Sequence, residues 1–258
     1  MSQIPVSLII TTFNWPEALD LALQSVLKQN HKPAQVIVAD DGSKTSTRLV
    51  IQRYKKILPI ELVWQPDTDF RAARVRNLAT LRANYKYLIF TDGDCLLPPN
   101  FVLSHYQLAR RGKIVAGSRV LLNEQETNNL IYDKKKIDKQ LFSKWKYGNL
   151  PLGILRDLKP NSWQTVRSCN FGVHRADMLK IRGFNEEYVG WGREDSDFVV
   201  RLIKSGVTVK SGRLAACVAH LYHQEQSRSL LSDNDARFSE TLKTNDNAQT
   251  SRSTLGEV

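Results

Sequence analysis

Cysteine is scarce in this sequence. There are three, Cys95, Cys169 and Cys217, far apart and without a Cys-x-x-Cys pairing. An odd count at such spacing argues against a disulfide framework and a zinc site, and makes a reducing, cytoplasmic setting the expectation. No run of residues approaches the roughly 18 apolar positions that a membrane span needs. The opening Met-Ser-Gln-Ile-Pro-Val lacks a basic stretch followed by an apolar one, so no secretory leader is expected. Internal repeats are absent. So are basic residues interleaved with aromatic stacking platforms, and nucleic acid is not expected as a partner.

Negative charge is in short supply too, with 26 acidic residues against 37 Lys and Arg and a formal charge of +11. Such an excess favours phosphorylated substrates or peripheral contact with an anionic membrane surface, unless it is simply a solvated basic face. What the chain does have is core material. Over 258 residues the hydrophobic share is 41% and the charged share 24%, enough for one large α/β domain.

The apolar pattern alternates between short β-branched runs and helical spacing. Val6 to Ile10, Gln35 to Ala39, Ile60 to Trp64 and Tyr87 to Phe90 read as strands. Asn14 with Pro16 and Glu17 marks a helix start, followed by Leu19, Leu23, Val26 and Leu27 on one face. Ala72 to Ala83 reads as a second helix. Strands alternating with helices imply a Rossmann-like, mostly parallel sheet flanked by helices, whose ligands bind beyond the carboxyl ends of the strands. Further on, helices are expected over Pro98 to Arg111, Met178 to Ile181 and Glu194 to Ser205, and strands over Ile114 to Leu122 and Ala215 to Tyr222. Asn123 to Tyr147, with Lys134-Lys135-Lys136, reads as a helical or mobile excursion. Gln224 to Phe238 is a candidate lid. Residues 1–238 are expected to form one domain, with 1–112 holding a nucleotide-linked donor and 113–238 an acceptor, and 239–258 a disordered tail.

Polar residues gather at the predicted strand ends. Asp92-Gly93-Asp94 places two carboxylates one residue apart, a pattern that suits a hard divalent cation or a plain turn. Asp40-Asp41 suits either a turn or recognition of a nucleoside. Arg71, Arg74 and Arg76 suit a diphosphate or a basic solvent face. Glu194-Asp195 opens a helix after Gly190-Trp191-Gly192, which complements the helix dipole and also sets a potential proton acceptor beside an apolar ring. His220 and His223 end the last predicted strand, where one imidazole is free to reach a metal.

Taken together, these segments resemble the inverting family 2 glycosyltransferases of GT-A fold. The resemblance rests on Thr-Thr-Phe-Asn at 11–14, Asp-Asp-Gly-Ser at 40–43, Phe-Arg-Ala-Ala-Arg-Val-Arg-Asn at 70–77 and Asp92-Gly93-Asp94. Gly190-Trp191-Gly192-Arg193-Glu194-Asp195-Ser196-Asp197 looks like the Trp-Gly-Gly-Glu-Asp segment of β-1,4-galactosyltransferases, with Arg193 in place of the second glycine. His223-Gln224-Glu225 is similar to a stretch in bacterial chondroitin polymerase. The resemblance implies a UDP-sugar donor, a glycan or glycolipid acceptor and a divalent Mn²⁺ or Mg²⁺. It places Thr12, Phe13, Asn14, Asp40, Asp41, Arg71, Arg76, Asp92 and Gly93 at the donor. Asp94 and Asp92 would take the metal with His223, or alternatively His220. Trp191, Gly192 and Glu194 would shape the acceptor site, and Asp195 would be the catalytic base. Asp92, Asp94, Asp195 and His223 are then expected to converge. A phosphohydrolase of haloacid dehalogenase type also carries Asp-x-Asp after a strand, but Cys95 stands where that family has Thr. A non-catalytic sugar- or anion-binding module of the same fold is the other alternative.

Overall fold

The computed structural model describes residues 3–132, 142, 162–224, 227–244 and 252–256. Its first half is laid down by strands β1 (Ile4–Thr12), β2 (Pro33–Asp40), β3 (Ile60–Trp64) and β4 (Tyr87–Asp92), with helices α1 (Pro16–Leu27), α2 (Thr45–Tyr54) and α3 (Ala72–Arg82) between them. These four strands are parallel. β1 lies between β2 and β4 and is buried on both faces, which suits its apolar run from Leu8 to Ile10. Alternation along it feeds two cores. Leu8 and Ile10 join Leu19, Leu23 and Val26 of α1 on one side, while Ile9 joins Phe90 and the α3 face on the other. Each such fully buried side chain contributes about 1.5–3 kcal/mol.

The second half completes the sheet with antiparallel pairing. β5 (Cys95–Leu96), α4 (Phe101–Leu108), β6 (Lys113–Ala116), β7 (Ser118–Leu121) and α5 (Glu124–Ile131) are followed by β8 (Asn170–His174), α6 (Arg175–Lys180), α7 (Glu194–Lys204), β9 (Thr208–Ser211), β10 (Cys217–His220) and α8 (Leu231–Lys243). The large sheet runs β3-β2-β1-β4-β8-β6-β9, and a small one runs β5-β10-β7. β8 is antiparallel to both β4 and β6. The α/β class and the mostly parallel sheet are as expected.

Several elements differ from the reading of the sequence. The expected strand from Ile114 to Leu122 is broken at Gly117, and its halves belong to different sheets. A Cβ at Gly117 would lie 2.2 Å from the Asn170 side chain, so the chain turns there because only glycine fits. α2 was not anticipated, although Thr47, Val50, Ile51 and Tyr54 bury a face at helical spacing. Its Thr and Arg content masks that face. β8 and β9 are too short to show an alternating pattern. The first helix is capped by Trp15 rather than Asn14, which itself adopts φ 45°.

The tail from Ser239, expected to be disordered, is ordered wherever the structure describes it. α8 runs to Lys243, and Thr241 Oγ1 donates to Asp197 Oδ1 at 2.7 Å. Leu255 is buried in the core, and Asn77 Nδ2 donates to Ser253 Oγ at 3.0 Å. The lysine run at 134–136 lies outside the described residues. Among the described residues, no helix is long and apolar enough to cross a membrane.

Candidate functional site

The carboxyl ends of β1, β2 and β4 lie side by side, with Thr12 opposite Asp40 and Thr11 opposite Asp92. The loops that leave them are stitched together by local hydrogen bonds. Asn14 N donates to Ser43 Oγ at 2.8 Å, and Lys44 N donates to Asn14 Oδ1 at 2.9 Å. Ser43 N donates to Asp40 Oδ1 at 2.9 Å. Asp41 accepts from Arg71 N at 2.8 Å and from Gln65 Nε2. Burial pushes both carboxyls above the usual range, and these donors oppose that rise. Asp40 Oδ2 is buried without a hydrogen-bond partner among the described residues. Phe13, by contrast, is open to solvent at 38%. Gly93 sits so close to β1 that a Cβ would lie 2.9 Å from Thr12 Oγ1, which fixes glycine between the two aspartates.

Asp94 faces two imidazoles. His220 Nε2 lies 3.6 Å from its Oδ1, and His223 Nε2 lies 3.4 Å from its Oδ2. His220 arrives through the pairing of β10 with β5, where it stands opposite Cys95. On each ring Nδ1 approaches a backbone carbonyl at 2.8 Å, that of Leu221 for His220 and that of Gln224 for His223. A carbonyl only accepts, so Nδ1 carries a proton on each ring, and Nε2 is the nitrogen that faces the carboxylate. Two imidazole nitrogens beside a carboxylate oxygen form a donor set that fits a divalent cation such as Mn²⁺. The Cys95 thiol also lies close, 3.7 Å from Asp94 Oδ1, and Asp94, Cys95 and His220 offer ligand atoms within 4.8 Å of one another. The sequence preferred His223 to His220; the structure places both at the same carboxylate.

Arg76 ties this edge to the second half. It is almost fully buried, with Nη2 3.4 Å from Asp92 Oδ1, Nη1 3.2 Å from Glu194 Oε1, and Nε donating to Thr11 Oγ1 at 3.2 Å. The N-terminus of α7 therefore stands at the same end of the sheet as Asp92 and Asp94. Desolvation and the neighbouring Asp195 push Glu194 up to about 7, with Arg76 opposing. Asp195 Oδ2 accepts from Ser168 N at 3.2 Å, and its Oδ1 accepts from Ser196 Oγ at 3.3 Å. Trp191 is 39% exposed, with the Arg228 guanidinium 4.9 Å from its ring centroid. Arg193 adopts φ 77°, the left-handed region that glycine prefers. Its side chain compensates by pairing with Asp235 of α8 at 2.5 Å and lying over Phe238.

Asp92, Asp94, Glu194, Asp195, His220 and His223 are thus brought to one edge, with Arg76 as a buried brace and not an open donor contact. Arg71 stands beside Asp41, whose carboxyl its charge helps to hold down. Its backbone serves Asp41, and its Nη2 donates to Pro66 O at 3.3 Å. Two partners escaped the sequence reading. Gln65, which follows β3, was findable as a polar residue at a strand end; Ser168 gave no signal, because its role is a backbone N–H meeting Asp195 from afar.

Comparison with known proteins places the chain in a family. The family model described as Glycosyl transferase family 2 matches residues 7–177, and one described as N-terminal domain of galactosyltransferase matches residues 156–224. The chain belongs to glycosyl transferase family 2. Among curated relatives, it is 29% identical to the chondroitin synthase of Pasteurella multocida (strain Pm70), over 93% of this chain and 27% of that protein. The chain spans 25% to 54% of the length of the curated relatives that it matches at 26% to 29% identity. Among solved structures it resembles S. aureus TarS 1-349 in complex with UDP-GlcNAc, with TM-score 0.64 and 15% identity over 86% of this chain and 60% of that one. The mannosyltransferase PcManGT from Pyrobaculum calidifontis, in complex with GDP-Man and Mn²⁺, gives TM-score 0.63 and 16% identity over 95% of this chain and 66% of that one. At these identities the likeness shows the fold, which is GT-A.

Proposed function

We propose that the chain transfers a hexose or N-acetylhexosamine from a UDP-sugar to a hydroxyl of a glycan acceptor, with inversion at the anomeric carbon and with a divalent metal. One observation carries this reading: Asp94 with its two imidazoles, and Asp195 at the start of α7, meet at the carboxyl edge of the sheet. Family membership and the UDP-GlcNAc and Mn²⁺ complexes of the structural neighbours support it.

In this reading Asp94, His220 and His223 hold Mn²⁺ or Mg²⁺. Such an ion would supply positive charge to offset that of a departing diphosphate. Thr12, Phe13 and Asn14, with Asp40 and Asp41 behind them, hold the nucleoside at the strand ends. Phe13 offers the open ring of that group for stacking on the base. Asp195 Oδ takes the proton of the acceptor hydroxyl as that oxygen attacks the anomeric carbon. The bond from that carbon to UDP breaks with its electron pair leaving on UDP, and the new C–O bond forms on the opposite face. One carboxylate suffices for a single displacement, in contrast with the flanking pair of a typical glycosidase. Arg76 pairs with Asp92 and Glu194 and so offsets negative charge beside Asp195. Trp191 supplies an apolar face for the acceptor ring.

A screen of nucleotide sugars for UDP release with Mn²⁺, with and without oligosaccharide acceptors, tests this. Acceptor-stimulated release from one UDP-sugar, abolished by EDTA and by Asp94→Ala, is the expected result. Release that ignores chelation, or that survives Asp94→Ala, would overturn the metal assignment; no release from any donor would overturn the transferase.

A further inference from the structure

A cavity of about 320 Å³ opens between β6, β7, β8 and β9, within the range of small-molecule sites, about 300–1,000 Å³. Arg119, Arg167 and Arg213 line it, together with Ser118, Ser211 and Asn170, and no acidic side chain contributes to its wall among the described residues. Among the described residues, neither Arg119 nor Arg167 has a carboxylate within ion-pairing distance. Arg119 Nη1 reaches only the Cys169 thiol, at 3.7 Å, and Arg167 Nη1 donates to Val166 O at 3.2 Å. Arg119 and Arg167, without a carboxylate partner among the described residues, repel one another, and an oxyanion between them removes that cost. The floor is rigid. Asn170 is buried, its Nδ2 donating to Ser118 O at 2.8 Å and Ala216 O at 2.9 Å, while its Oδ1 pairs with His105 Nε2 at 2.9 Å.

The cavity adjoins the reaction edge at two points. Ser168, between the lining residues Arg167 and Cys169, gives its N–H to Asp195. Cys169 itself contacts Cys95, the neighbour of Asp94. We infer that this cavity is the subsite for an anionic group, a carboxylate or a phosphate, carried by the sugar that accepts the transfer. The inference rests on the transferase reading for the word acceptor, and on the arginines for the anion. Arginine suits it because its planar fork matches both oxyanions in two parallel hydrogen bonds. A sugar anchored there by its charge lies next to Ser168, whose N–H meets Asp195.

The test uses the full chain and three probes, D-glucuronate, α-D-glucose 1-phosphate and D-glucose, followed by ligand-observed NMR titration. At least one anionic sugar should bind ten-fold or more tightly than glucose. The Arg119→Ala/Arg167→Ala double variant should reduce it to the glucose level, and Arg119→Lys/Arg167→Lys should retain part of the gain. Preference for glucuronate or for the phosphate identifies the source of the charge. Both arginines are solvent-exposed, and thermal melting checks that the variants fold. Equal binding of glucose and the anionic sugars, or anionic binding unchanged in the alanine variant, would overturn the subsite. UDP titration of the wild-type chain with Mn²⁺ reads the donor site separately. Anion discrimination without UDP binding sinks the transferase reading alone, and UDP binding without anion discrimination sinks the subsite alone.

Discussion

The two halves of the site hold their carboxylates by different means. In the first half, Asp40 and Asp41 are fixed by backbone N–H groups and an amide, from Ser43, Arg71 and Gln65. In the second half the acidic groups are held by cations. Glu194 meets Arg76, Asp197 meets Arg201 Nε at 2.8 Å, and Asp235 meets Arg193. Turn-built carboxylates come preassembled by nearby chain and demand little of the rest of the molecule. Ion-paired ones depend on a partner delivered by another element, and losing that partner leaves a buried charge uncompensated. The edge with Asp40 and Asp41 should therefore tolerate remote changes, and the edge at α7 should be sensitive to single cations.

The sharpest break in this comparison comes at Asp195, which has no cation within ion-pairing distance among the described residues and is positioned by Ser168 N. Asp195→Asn should lower kcat by about 10²–10⁴-fold, with UDP affinity in calorimetry within two-fold of wild type; a parallel loss of UDP binding would place Asp195 at the donor. Next in size is Arg76→Ala. Removing the brace strands Asp92 and Glu194 together, and urea unfolding should show a loss of about 3–5 kcal/mol. A loss comparable to that of an exposed ion pair would remove the distinction between the halves.

A smaller effect sharpens the contrast through pH. Glu194 titrates near 7 in the fold, against an ordinary value of 4.5. The sign follows from the rise: the protonated group's contribution to stability is complete below about 4.5 and is lost as pH climbs to about 7. Glu194→Gln, which stays neutral, should lack that decline, so its melting temperature in EDTA should gain on wild type across pH 4.5–7. A constant offset between the two would show that Glu194 titrates normally. Smallest is Arg193→Gly, which relieves the left-handed backbone and forfeits the pair with Asp235. The two terms oppose each other, and the net change should stay within about 1 kcal/mol. Loosening of α8, read by hydrogen exchange, is the more sensitive measurement.

Legibility in the sequence follows the same division. β1, β2 and β4 announce themselves through β-branched runs, and the polar residues that end them mark the site edge without any knowledge of tertiary contacts. β8 and β9 stayed hidden because five and four residues cannot display a period. The tail shows a related effect: its polar composition suits disorder, yet among its described residues Leu255 reaches the core and Asn77 anchors Ser253. The pairing of Arg76 with Glu194 spans 118 positions, and Asp195 meets Ser168 across 27. No local spacing encodes either contact.

The sequence by itself determined the alternation of strands and helices, and with it the sheet edge at which polar side chains must gather, because hydrophobic periodicity and turn chemistry act over a few residues. The tertiary structure alone decided that Arg76 braces and does not face outward, that both His220 and His223 meet Asp94, and that Arg119, Arg167 and Arg213 ring one cavity. Those outcomes depend on the antiparallel strands and α7 docking against the parallel half. Docking is settled by the shape of two packed cores, and no short stretch of chain contains it.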